Sequence, residues 1–145
     1  MSTKELQQSI IENMRKWQKV EDASIEQCNE IITKTKNPVI KMAMEIIRND
    51  SMNHHRVQEL IASSLEADTM SLSPDDIADV WDLIQRHIDM EKKAEAYATE
   101  AHDALKGKKM VIQEYLLNYL LVDEKKHDML LDTLETIKKG MYPYG

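Results

Sequence analysis

The sequence predicts an all-α protein, folded as an antiparallel four-helix bundle, and three observations lead to this prediction. Only three glycines and three prolines occur among 145 residues, and leucine, isoleucine and methionine supply most of the large apolar residues. This composition favours helices over strands. Helix-capping residues divide the chain into four long segments. Within each segment, apolar residues recur in steps of three and four, the period of an amphipathic helix.

The first predicted helix spans about residues 3–36, and the second spans about 38–66. Asn37 and Pro38 separate them. Asparagine is a preferred N-cap, and proline is favoured at the first helical position. We therefore expect helix 2 to begin directly after a tight turn.

The third predicted helix spans about residues 74–106, after a linker at 68–73. Ser73 and Pro74 repeat the cap chemistry of the second helix. Three acidic residues follow and suit the positive end of the helix dipole, namely Asp75, Asp76 and Asp79.

The fourth predicted helix spans about residues 108–139, with Gly107 before it and Gly140 after it. Both glycines are placed as C-terminal stops of helices. Helices 1 and 2 are joined by a short connection, as are helices 3 and 4, so we expect two antiparallel helix pairs. The length of the middle linker fits either a crossover or a plain turn.

The apolar stripes of the four helices form the predicted core. They contain Ile10, Met14, Trp17, Glu21, Ser24, Cys28 and Ile31; Ile40, Met44, Ile47, Ser51, His54, Val57 and Ile61; Ile77, Trp81, Ile84, Ile88, Glu91, Ala94, Ala98, Ala101 and Leu105; and Leu116, Leu120, Glu124, His127, Leu131 and Leu134.

Composition and charge narrow the class of protein. The net charge is −7 with a pI near 5.2 and no basic stripe, so we do not expect nucleic acid as a partner. No apolar run approaches the roughly 18 residues that span a bilayer, and the polar N-terminus is unlike a signal peptide. We expect one cytoplasmic domain, residues 1–145, with no membrane partner. Cys28 is the only cysteine, which excludes an intrachain disulfide and a four-cysteine metal site.

Five polar residues interrupt the apolar stripes near mid-length: Glu21, His54, Glu91, Glu124 and His127. Burying carboxylate and imidazole groups is costly, and a bound metal is a common reason for doing so. Taken singly, His127 fits a hydrogen-bonded core histidine and Glu124 fits a surface charge. Together, the five favour a metal site, because mid-length positions of an antiparallel bundle meet at one level.

The segments that carry these residues, VEDASIEQ with NHHRVQEL and MEKKAEAY with DEKKHDMLL, resemble those of ferritin-like di-iron carboxylate proteins of the rubrerythrin and bacterioferritin type. The resemblance covers about Lys16 to Gly140. It implies that Glu21 and Glu91 are terminal carboxylates of the first and third helices. Glu124 matches a carboxylate that usually bridges two irons. His54 and His127 match the two histidine ligands, one for each iron.

The chain departs from that family at one ligand position. Ser51 stands where the family has the glutamate that precedes His54 by three residues, and the adjacent Asp50 points away from the stripe. We therefore expect weaker or asymmetric metal occupancy, with water or an external anion filling the gap. Glu95 and His87 lie one turn from Glu91 and are possible substitutes. Simpler interpretations are a solvated position for Glu95 and a boundary position for His87.

The resemblance implies an iron-binding protein that holds two ions, one of them weakly. Carboxylate and imidazole ligands also suit manganese and zinc. The implied activity is that of an oxidoreductase, which oxidises ferrous iron with oxygen or peroxide in iron handling or stress protection. Ala94 replaces an extra carboxylate of rubrerythrins, which argues against their peroxide reduction. The sequence assigns no catalytic residue and no organic cofactor.

The alternative function is a helical interaction module. In that case the serine at position 51 marks a decayed metal site, and the protein acts through a protein partner. For either function we expect a homodimer, since two-fold pairs are the commonest assemblies. Helix 4 is apolar on more than one face. Its residues outside the main stripe are candidates for the interface: Leu117, Leu121 and Val122.

Overall fold

The computed structural model describes residues 2–67 and 70–140, and this part of the chain is helical without any strand. Five helices occur in it: α1 at Thr3–Lys34, α2 at Pro38–Glu66, α3 at Pro74–Ala78, α4 at Trp81–Ala104 and α5 at Val111–Lys138. The all-α prediction is therefore confirmed. Residues 68 and 69 of the predicted linker lie outside the described residues.

The predicted caps explain where helices begin. The Asn37 side-chain oxygen accepts hydrogen bonds from the backbone N–H groups of Val39 and Ile40, at 2.9 and 3.2 Å. Ser73 accepts from the N–H of Asp76, whose carboxylate accepts in return from the N–H of Ser73. These contacts satisfy N–H groups that have no partner inside the helix. Both proline-initiated helices start where the sequence predicts.

The prediction of one continuous helix over 74–106 is wrong. The helix is interrupted at Asp79 and Val80, and Val80 has φ −118° and ψ 8°, outside the helical range. Aspartate and β-branched valine both favour helices weakly. Ile77 is buried, so α3 is a short separate turn held by its own apolar contact.

Two smaller corrections concern helix ends. Helix α1 ends at Lys34 rather than at residue 36, because Thr35 is already extended with ψ 144°. Helix α5 begins at Val111 rather than at residue 108, and no side chain caps its start. Gly107 and Gly140 have φ of 74° and 67°. These values lie in the left-handed region that favours glycine, so both predicted stops are confirmed.

The chain divides into two compact units, Met1–Met70 and Ser71–Gly145. In the first unit, α1 packs along α2, and residue numbers on α2 fall as those on α1 rise. Contacts between the two helices join Gln18 to His55 and Glu59, Glu21 to His54, Ser24 to Ser51, and Asn29 to Arg48. These pairs fix the register that positions the first unit's candidate ligands.

The contact surface between α1 and α2 is more polar than the stripes predict. Its most buried residues are Gln18, Glu21, Cys28, Ser51, Gln58 and Ala62. Predicted core residues at the edge of the stripes are instead exposed in part, namely Trp17, Ile31, Ile40, Ile47, Val57 and Ile61. The contact between α1 and α2 alone therefore does not bury the whole stripes of this unit. Small and polar residues allow the helices to meet along one edge of each stripe.

In the second unit, the side chains of α4 and α5 contact each other along the length of the pair. The Lys138 ammonium lies 4.8 Å from the centre of the Trp81 ring, within the range of a cation–π contact. Ala98 and Ile137 are buried. No helix of residues 2–67 and 70–140 is long and apolar enough to cross a membrane. The four-helix bundle and the single domain stay predictions.

Candidate metal centre

The first unit brings together two of the five predicted ligands. His54 Nδ1 lies 3.4 Å from Glu21 Oε1. The Glu21 side chain is only 8% exposed, whereas that of His54 is 57% exposed. The next residue on each helix forms a similar pair, with His55 Nε2 3.5 Å from Asp22 Oδ1. A buried carboxylate is thus matched with a histidine that faces solvent.

Ser51, the departure from the family pattern, has a structural role in the same unit. It is buried, and its hydroxyl lies 3.0 Å from the hydroxyl of Ser24 across the helix pair. Nearby on α2, the Gln58 side chain is 3% exposed and its Oε1 has no hydrogen-bond partner. The first unit therefore offers a polar contact surface with one carboxylate and one imidazole.

The second unit brings together the other three predicted ligands. Glu91 on α4 meets Glu124 and His127 on α5, and one donor atom from each lies within 4.8 Å of the others. His127 Nδ1 is 3.2 Å from Glu91 Oε2 and 3.9 Å from Glu124 Oε2. Glu124 and His127 share a helix face because they are three residues apart.

Glu124 has an unusual electrostatic position. Its Oε2 is buried, and no N–H or O–H group of the described residues donates to it. Contact with Glu91 raises the pKa of Glu124, and burial adds to this effect. The same contact lowers the pKa of Glu91, helped by His127. Of the two carboxylates, Glu124 therefore takes up a proton before Glu91 does.

Two further residues contact Glu91 and His127, each from the same helix as its partner. His87 Nε2 lies 2.9 Å from Glu91 Oε1, and Asp123 Oδ2 lies 3.4 Å from His127 Nε2. Each contact joins residues four apart on one helix, so the spacing was a signal that the sequence offered. The boundary interpretation of His87 missed its contact with Glu91.

Glu95 does not turn toward Glu91. Instead, it pairs with Asp128, and a hydrogen bond to Asp128 raises the pKa of Glu95. Lys92 and Asp132 line the same small cavity. The substitute role of Glu95 at the metal site is thus not supported by its contacts.

The donor set in the second unit fits a divalent metal ion. Two carboxylates balance the charge of the ion, and an imidazole supplies nitrogen; such mixed sites suit iron, manganese or zinc. The buried oxygen of Glu124 would gain a partner from a cation bound between these groups. That all five predicted residues bind together stays a prediction.

Comparison of the chain with protein-family models, with curated proteins and with solved structures gave no match. The ferritin-like resemblance therefore stays an expectation from the sequence. The proposed function therefore depends on the residues of the second unit.

Proposed function

We propose that this protein binds a divalent metal ion, foremost iron, at Glu91, Glu124 and His127. The observation that carries the proposal is the buried Glu124 Oε2, which has no donor of its own and lies 3.9 Å from His127 Nδ1. A buried polar atom without a partner costs about 1–3 kcal/mol. A cation between these groups would remove that cost.

The chain's residues would prepare this site in three ways. Glu91 and Glu124 supply negative charge, and both would bind the ion in their ionised form. Asp123 faces the outer ring nitrogen of His127, which leaves Nδ1 for the ion. Helices α4 and α5 hold the donors on rigid backbone, so little ordering is needed on binding.

We further propose the finer function that the sequence predicts: oxidation of ferrous iron by oxygen or peroxide, in iron handling or stress protection. Bound iron would supply the electrons for this chemistry. In a four-helix bundle, Glu21 and His54 would add ligands for a second, weaker ion. The exposed apolar residues of both units support such a bundle, because packing helices together would cover them.

An anaerobic titration tests the metal proposal. Ferrous iron is added to the full chain, and binding is followed by calorimetry. We expect wild type to bind, and His127→Ala or Glu124→Gln to lower the affinity by at least about tenfold, as losing even an outer-shell partner does. His102→Ala and Glu100→Gln, on α4 but outside the group, serve as matched controls.

Substoichiometric binding that His127→Ala leaves unchanged would overturn the proposal. The second candidate, an interaction module, would then gain support. It is favoured by one observation: Leu83, Met90 and Tyr97 are spaced by seven residues on α4 and are 62%, 65% and 73% exposed. Apolar residues repeating every seven positions on an exposed helix face suit packing against another helix.

A further inference from the structure

His87 is not one of the five predicted ligands but one of two possible substitutes, and its contact with Glu91 ties it to the candidate centre. It precedes Glu91 by four residues on α4, which places both side chains on one helix face. Its Nε2 lies 2.9 Å from Glu91 Oε1. The imidazole is thus turned along the helix toward the carboxylate, although 55% of the side chain is exposed.

We infer that His87 is a fourth ligand of the ion at Glu91, Glu124 and His127, so that the second unit holds one divalent metal without any residue of the first. This inference rests on the proposed metal binding and deepens it. It assigns the complete donor set to two helices, with a histidine and a glutamate from each.

Three separations between donor atoms come close to those of one coordination sphere; Glu91, Glu124 and His127 have donor atoms that all lie within 4.8 Å of one another, and His87 reaches this group through Glu91. For metal–ligand bonds of about 2.0–2.2 Å, adjacent donors lie roughly 3.0–3.5 Å apart. Here His87 Nε2 is 2.9 Å from Glu91 Oε1, Glu91 Oε2 is 3.2 Å from His127 Nδ1, and His127 Nδ1 is 3.9 Å from Glu124 Oε2. Each separation is within a few tenths of an ångström of that range.

Glu91 is the centre of this arrangement because its two oxygens face different histidines. Oε1 faces His87 and Oε2 faces His127. A carboxylate that binds one ion through both oxygens would bring both imidazoles to the same ion. Glu124 would then fill the remaining side with its buried Oε2.

Charge and chemistry agree with this donor set. Two carboxylates neutralise a divalent ion, and two neutral imidazoles add nitrogen donors without adding charge. Nitrogen and oxygen donors in equal numbers of residues suit zinc, iron and cobalt better than calcium or magnesium, which prefer oxygen alone.

Cobalt(II) is the probe that separates a ligand from a hydrogen-bond donor. In the full chain with one equivalent of Co²⁺, each bound imidazole gives a strongly shifted N–H signal in the proton NMR spectrum. We expect two such signals in wild type and one in His87→Ala. Zn²⁺ affinity, measured by calorimetry, should fall in His87→Ala by at least about tenfold.

One variant serves as a control: His102→Ala lies further along α4 and should match wild type in signals and affinity. Glu21→Gln and His54→Ala alter the residues proposed for the second ion and test whether the second unit binds its ion alone. We expect neither to weaken binding of the first equivalent of metal. Circular dichroism of each variant checks that the helices remain, and the exposure of His87 makes its replacement compatible with folding.

Several results would overturn the inference while metal binding itself stands. One is two shifted signals and wild-type affinity in His87→Ala. Another is wild-type affinity in His87→Gln, whose amide keeps a hydrogen-bond donor but is a poor ligand. A third is loss of the first equivalent in His54→Ala. A wild type that binds no metal would instead refute the proposed function, and the inference with it.

Discussion

Glu124 lies where an ionised carboxylate is unfavourable in the metal-free protein. Its raised pKa means that folding favours its protonated form. The stability contributed by this group is therefore present below its ordinary pKa of 4.5 and is lost as pH rises through the raised value. Near neutral pH, the ionised pair of Glu91 and Glu124 opposes folding unless a cation is present.

Glu124→Gln should stabilise the metal-free protein near neutral pH. The glutamine amide donates to Glu91 as the protonated acid does, and it cannot ionise. We expect a gain of roughly 1 kcal/mol, the low end of the cost of an unpaired buried polar group. Urea unfolding at several pH values measures it. The loss of stability with rising pH should be smaller than in wild type.

Glu100→Gln is the matched control for this prediction, because Glu100 is exposed on α4. Its stability should follow wild type at every pH. A Glu124→Gln protein that is less stable than wild type at neutral pH, with metal removed, would contradict the claim that ionised Glu124 opposes folding.

For single residues, the sequence predicts correctly which side chains meet where this follows from residue type and spacing. Glu91, Glu124 and His127 were predicted together because their spacing places them on facing stripes. The contact between His87 and Glu91 was missed as a firm expectation, since it depends on a side-chain rotamer. Rotamers respond to neighbours from both helices, and the sequence pattern does not give them.

The contact between α1 and α2 is fixed more by hydrogen bonds than by large apolar side chains. Gln18 Nε2 donates to the backbone oxygen of His55 at 3.2 Å and to Glu59 Oε2 at 2.9 Å. Gln58 on the facing helix is equally buried, but its Oε1 has no partner. Two buried glutamines of one helix pair therefore differ in how well they are satisfied.

This difference predicts opposite effects for the same substitution. Gln58→Leu removes an unpaired acceptor and keeps the volume nearly constant, so we expect a gain of about 1 kcal/mol. Gln18→Leu removes three hydrogen bonds, including the one that Gln18 Oε1 accepts from Arg15 at 3.1 Å, and should cost about 1–2 kcal/mol. Urea unfolding of both variants measures the pair. Shifts in the same direction would show that the glutamines are equivalent.

Helix positions were predictable because caps are local. Asn37 with Pro38 and Ser73 with Pro74 mark helix starts through contacts within three residues. The break at Val80 was missed because Asp79 and Val80 are only weakly unfavourable in a helix. The burial of polar residues between α1 and α2 was also not predicted. The partner helix decides which edge of a stripe becomes buried, and the pattern of a single helix does not show it.

For the whole molecule, the sequence predicts a homodimer through α5. Val122, from the predicted interface, is 67% exposed, whereas Leu117 and Leu121 are partly buried within their own unit. Tyr115 and Met129 are exposed at seven residues on either side of Val122. An exposed apolar stripe of this spacing is suited to a second helix.

Sedimentation should therefore give twice the chain mass of 16.9 kDa. Val122→Glu should shift the protein toward monomer, because a buried, unpaired charge opposes association. We expect the dimer to weaken by about tenfold or more, equal to roughly 1.4 kcal/mol. Gln113→Glu adds the same charge at another exposed position of α5 and should leave the dimer intact. A monomeric wild type would contradict this prediction.

Local sequence signals say least about how the helix pairs are arranged in the whole molecule. The structure divides into two compact units, and the predicted bundle requires pairings that no cap or short spacing encodes. The second unit's three candidate ligands meet through one helix pair with a short connection. Whether Glu21 and His54 join them depends on long-range packing. Metal titrations of Glu21→Gln and His54→Ala would test this.

Cys28 lies at the contact between α1 and α2 and is 4% exposed. A thiol in this position cannot meet a reagent while the two helices stay together. Its rate of alkylation therefore follows the opening of the first unit alone. Alkylation of Cys28 can therefore report how often α1 and α2 separate, and it would do so with or without metal added to the protein.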